Sequence, residues 1–120
     1  MKLRIKGDSL RLRLMRGEVA TLAATGSLSE SMRLPGASLT YTIYTSENAT
    51  EISARLLDNI LEVSLPDAVV QYWANSDEIS LSARHGPVSI LIEKDFACLT
   101  PREGEDDSDA FPHPDKVVCD

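Results

Sequence analysis

The sequence predicts a mostly-β protein: a pseudo-two-fold barrel of two strand–strand–helix–strand–strand (ββαββ) repeats, followed by a non-repetitive C-terminal strap. Three observations predict it. Apolar residues alternate with polar ones at period two from Leu3 to Ile92. Residue pairs that favour tight turns interrupt that alternation. The whole pattern then recurs after about 51 positions, as an internal repeat should.

Leu3 and Ile5, then Leu10, Leu12 and Leu14, mark two strands joined by Gly7-Asp8. The stretch GEVATLAATG reads as a short helix with Val19, Leu22 and Ala23 on one face and Gly26 as its C-terminal stop. SLSESMRL and SLTYTIYT follow as strands, joined by Pro35-Gly36. The second pass repeats the order. EISARLL and ILEVSL flank Asp58-Asn59, and Ser64 and Asp67 stand at capping-box spacing around Pro66. The helix PDAVVQYWANS carries Val69, Val70 and Trp73 on one face. EISLSAR and VSILIEK close the unit around His85-Gly86-Pro87. Without a gap, Leu10 falls on Leu61, Leu14 on Leu65, Val19 on Val70 and Arg33 on Arg84. The expected organisation is one domain over residues 1–93, with repeat one at 1–45 and repeat two at 52–93, and an acidic, Pro-containing tail at 94–120 packed on it.

A physical argument favours joining the repeats. One unit alone has little apolar surface to bury and open strand edges that invite foreign strands. Two units in one polypeptide meet both needs and allow a monomer. At 120 residues, 42% hydrophobic and 26% charged, the composition is that of an ordinary globular domain. No apolar run reaches the roughly 18 residues of a membrane helix. The charged start MKLRIKGDSLRLRL lacks the apolar core of a signal peptide, so a cytoplasmic protein with reduced cysteines is expected.

The stretch DNILEVSLPDAVVQYWANSDEISLSARHGPVSILIEKD resembles the swapped-hairpin unit of the AbrB/MazE family. The likeness lies in its turn, strand ending in Leu65-Pro66, short helix, Asp-containing turn and closing hairpin. The first half matches less closely, with Met15-Arg16 in place of Leu65-Pro66. The resemblance implies that two such units interlock around one interior, and that the first hairpin contributes to a DNA-binding surface. The closing stretch EKDFACLTPREGEDDSDAFPHP resembles that of small bacterial proteins with no assigned activity.

The net charge of −7 is unevenly spread. Lys2, Arg4, Lys6, Arg11, Arg13 and Arg16 stand against Asp8 at the start, whereas the chain from Glu93 onward is acidic. A two-residue turn at Gly7-Asp8 sets Arg4 opposite Arg11 and Lys2 opposite Arg13. Like charges so placed destabilise a strand pair unless something offsets them. The six basic residues are therefore a candidate anion-binding set for DNA or an acidic protein. A solvated, edge-protecting face is the plainer reading. A third reading is internal neutralisation by Glu103, Glu105, Asp106, Asp107 and Asp109, an acidic tail masking the hairpin. Arg55 near Glu62 is the ordinary opposite-charge pair at the equivalent place.

Cys98, His113 and Cys119 could supply three ligands to a zinc-like site, because thiolate and imidazole suit that metal. Their spacing matches no recognised ligand pattern, so metal binding is the alternative function and otherwise no cofactor is expected. No phosphate-cradling glycine loop or paired-carboxylate motif is present, and nothing in the spacing brings His113 to Cys98 as a base. His85 reads as an exposed turn residue. The sequence thus points to a non-enzymatic binding module.

Overall fold

The computed structural model describes residues 1–96 and Phe111. Ten elements follow one another: β1 (Lys2–Lys6), β2 (Ser9–Leu14), α1 (Arg16–Thr25), β3 (Ser27–Arg33), β4 (Ser38–Ser46), β5 (Ser53–Leu57), β6 (Ile60–Pro66), α2 (Asp67–Ala74), β7 (Ser80–His85) and β8 (Val88–Lys94). Their order and the repeat spacing match the sequence expectation. Lys6 pairs with Ser9 and Leu57 with Ile60, so Gly7-Asp8 and Asp58-Asn59 are two-residue turns. Gly7 adopts a φ of 54°, and Asp58 and Asn59 adopt 51° and 64°. Tight hairpins need this left-handed backbone to match the strand twist, and Gly, Asn and Asp tolerate it best.

The strands form two four-stranded sheets, ordered β1-β2-β8-β7 and β3-β4-β6-β5. Each sheet joins the first hairpin of one repeat to the second hairpin of the other. The joints are the parallel pairs β2–β8, with Leu10 beside Ile90, and β4–β6, with Thr40 beside Ile60. The expectation of a closed barrel is corrected, because no ladder joins the edge strands of the two sheets. Edges β7 and β5 meet instead at a side chain: His85 Nδ1 accepts a hydrogen bond from the Ala54 amide at 3.1 Å. Near the β1 and β3 edges the Met1 amine lies 3.0 Å from Glu30 on β3 and also pairs with Glu18 on α1.

The core lies between the sheets. Leu10, Leu12, Leu14, Ile90 and Ile92 face Ile43, Val63 and Leu65, while Val19, Leu22, Val70 and Trp73 cover them from the helices. Trp73 is fully buried and its indole N–H donates to the Ile79 carbonyl at 3.2 Å. α1 begins where Glu18 reaches back to the Met15 amide at 2.8 Å, and it ends at Gly26, whose φ of 89° fits a glycine stop. The capping role expected of Ser64 is corrected. Ser64 belongs to β6, and Pro66 precedes α2 without a side-chain cap. Pro at a helix entrance needs no amide partner, which makes such a cap dispensable.

Candidate anion-binding face

Cross-strand rows build the outer face of the β1-β2-β8-β7 sheet. The first is Lys2–Arg13–Glu93–Ser80, the second Arg4–Arg11–Leu91–Ser82, and the third Lys6–Ser9–Ser89–Arg84. Period two places these residues outward because Leu10, Leu12, Ile90 and Ile92 between them point into the core. The register expected from the sequence, Arg4 opposite Arg11 and Lys2 opposite Arg13, is the register observed.

The charges in these rows are arranged around Glu93. Its Oε1 accepts from Arg11 Nε and Arg13 Nε, each at 2.6 Å, and the carboxylate side chain is only 14% exposed. Lys2 Nζ lies 3.1 Å from Asp95, a buried carboxylate. A carboxylate from β8 therefore lies within the like-charged rows of the hairpin. The tail acids Glu103, Glu105, Asp106, Asp107 and Asp109, expected as the internal partner, lie outside the described residues. Glu93 was not singled out in the sequence because it is distant from the hairpin along the chain. The signal that could have found it is the exchange of hairpins between repeats, which sets β8 beside β2.

A groove of about 600 Å³ runs along this face, and Arg4, Lys6, Arg11 and Arg84 bring cationic groups to it. Ser9, Ser82 and Ser89 add hydroxyls. Arg84, also missed by the sequence reading, arrives from the second repeat, with Nη1 3.4 Å from Ser89 Oγ. Arg16 departs from the expected set. It opens α1 and lines a separate groove between the helices, together with Gln71 and Asn75.

The pseudo-symmetric face of the other sheet has different chemistry. There Ser29 and Thr42 hydroxyls meet at 2.6 Å, Ser31 and Thr40 at 2.8 Å, and Arg55 pairs with Glu62 at 2.7 Å. The position equivalent to Arg11 holds Glu62, and that of Arg13 holds Ser64. Duplication supplied two similar faces, and only one became cationic.

Cys98, His113 and Cys119 lie outside the described residues. Among the described residues no three His, Asp, Glu or Cys side chains gather as a metal site would require. Phe111 is half-buried; its amide donates to the Asp95 carbonyl at 2.8 Å and its ring centre lies 5.7 Å from that of Phe96. No helix among the described residues is long and apolar enough to cross a membrane.

Fold and face together define a mostly-β duplicated module with hairpins exchanged between its two sheets and one cationic surface. The chain belongs to a family of unknown function, DUF7009, whose model matches residues 1–115. No curated protein and no solved structure matches the chain.

Proposed function

We propose that the protein is a non-enzymatic binding module that holds an anionic macromolecule, DNA or an acidic protein, on the outer face of β1-β2-β8-β7. One observation carries this reading: cationic side chains from both repeats line one groove, while the equivalent face of the other sheet carries hydroxyls and a neutralised Arg–Glu pair. Clustered Arg and Lys beside hydroxyl donors is the chemistry that meets phosphates and carboxylates. The resemblance to the AbrB/MazE swapped-hairpin unit favours DNA, and the exchange of hairpins between repeats is in keeping with it. The five acidic residues from Glu103 to Asp109 are the competitor within the chain.

The test is fluorescence anisotropy of the full chain with labelled duplex DNA and with polyglutamate across a salt series. Binding to one of them should weaken steeply with salt. Arg84→Ser and Lys6→Ser should each lower affinity and reduce the salt slope by about 1. Arg55→Ser on the pseudo-symmetric face should change nothing. Replacing the five tail acids by their amides should raise affinity. Absence of binding to both probes at low salt, even in the amide variant, or an equal loss in Arg55→Ser, overturns the proposal.

A further inference from the structure

We infer that the hairpin-turn end of the molecule is an association surface whose partner is a second copy of this chain. The connections fix what lies at each end. β2 runs into α1 and β6 into α2, so both helices cover one end. The turns after β1, β3, β5 and β7 all fall at the other, where Asp8 O accepts from Ser89 N and Asn59 O from Thr40 N.

At the helix end Leu22, Val70 and Trp73 close the interior. The turn end lacks such a cover. Ile5, Met32, Leu34, Leu56 and Leu57, which are most of the exposed large hydrophobic residues, all sit there. Ile5 and Leu56 occupy equivalent positions of the two repeats and are 59% and 68% exposed. Both stand on inward-facing rows, Ile5 opposite Leu10 and Leu56 opposite Leu61. A crevice of about 340 Å³ opens between them, with Ala54 and Val88 in its wall. Scattered exposed leucines need no explanation, but a gathered set at the mouth of a core marks a contact surface.

The charge around this mouth selects the occupant. Passing round the end, the turns come in the order β1–β2, β7–β8, β5–β6 and β3–β4. They present Asp8, Arg84, Asp58 and Arg33 in that sequence, so the sign alternates. Among the described residues Asp8, Asp58 and Arg33 make no ion pair, and Arg84 touches only the Ser89 hydroxyl. Lys6, near the first turn, belongs to the groove on the outer face. A rim of alternating sign with its own pseudo-two-fold axis complements itself. A dyad perpendicular to that axis lays each acid of one copy over a base of the other and brings the two apolar centres together. Such an isologous contact closes at two copies. A partner of uniform charge would meet repulsion at two of the four turns.

The experiment is sedimentation equilibrium of the full chain with no polyanion present, so its outcome is independent of the binding proposal above. The wild type should form a reversible dimer, and Leu56→Asp or the milder Leu56→Ser should dissociate it. Arg33→Glu with Arg84→Glu makes the four turn positions acidic. Asp8→Lys with Asp58→Asn leaves them basic or neutral, Asn being tolerated at the positive φ of residue 58. Each double variant alone should be monomeric and should melt cooperatively, and an equimolar mixture of the two should form a heterodimer. A monomeric wild type, a dimer that survives in either double variant, or a mixture that stays monomeric overturns the inference.

Discussion

Arg11 Nε and Glu93 Oε1 are 2.6 Å apart although 82 positions separate the two residues in the chain. The same oxygen accepts from Arg13, so one carboxylate serves two guanidinium groups on the strand beside it. This makes β8 an electrostatic partner of the first hairpin as well as a hydrogen-bonding one. Removing the charge with Glu93→Gln leaves the two like-charged rows without their shared acid. The expected loss is about 2 kcal/mol at low salt, in the range for a broken charge-assisted contact that is partly buried. Much of it should return at about 1 M salt, where exposed like charges are screened. Urea denaturation at the two salt concentrations measures both quantities. A loss that does not respond to salt would mean that Glu93 acts through packing alone.

His85 joins the two sheets where no ladder does. The position equivalent to it in the first repeat is Leu34, which is exposed, so the seams of the molecule are closed by different chemistry. Removing the imidazole with His85→Ala should cost about 1 kcal/mol, the net value of one hydrogen bond. It should also speed hydrogen exchange at the Ala54 amide by several-fold, while amides in the β2–β8 joint stay protected. His85→Asn, which keeps a side-chain acceptor, should restore part of the protection. Unchanged exchange at Ala54 in the alanine variant would remove His85 from the seam.

Much of this architecture was legible in the sequence because β structure writes itself locally. Leu3, Ile5, Leu10 and Leu12 fix which face is buried, and Gly7-Asp8 fixes the register; together they place Arg4 opposite Arg11. Features that depend on strands distant in sequence were not legible. Glu93 and Arg84 reach the cationic face only through the exchange of hairpins, and no local pattern ties them to Arg11. Whether sheet edges meet by a ladder or by a side chain is also invisible to alternation, which reads the same in both cases. Ser64 stood at capping spacing, but a strand residue before Pro66 satisfies the same spacing. Lys94 read as the beginning of a polar tail, whereas it closes β8 and is buried.

That burial has a measurable consequence. Lys94 occupies the place held by Ile43 in the first repeat, and Trp73 that of Leu22. Its Nζ donates to the Ser76 carbonyl at 2.8 Å and lies 5.8 Å from the centre of the Trp73 ring and 5.3 Å from that of Phe111. Burial lowers the pKa of its amine below the ordinary 10.5, and the charges of Asp77 and Glu78 only partly oppose the shift. Between the lowered pKa and 10.5 the unfolded chain holds more protons than the native one, so this group makes stability rise with pH across that window. Two other groups act in the opposite direction. Burial alone would lower the Met1 amine, but hydrogen bonds to Glu18 and Glu30 outweigh it and raise its pKa above 8.0. The Tyr41 phenol is raised above 10.0 by burial and by Glu30. Both contributions are lost as pH rises through the folded values, and both are shared by wild type and a Lys94→Met variant. The difference between those two proteins therefore isolates Lys94. At about pH 7 Lys94→Met should match or exceed the wild type in stability, because it trades a desolvated charge for an apolar side chain and forfeits cation–π contacts of about 1 kcal/mol each. Toward about pH 10 the wild type should gain on the variant, as the amine sheds its proton more readily when folded than when unfolded. Urea midpoints at the two pH values, with emission from the sole tryptophan, Trp73, as the signal, decide it. A gap that stays constant between them would show that Lys94 keeps its ordinary affinity for the proton and that its burial costs the fold nothing.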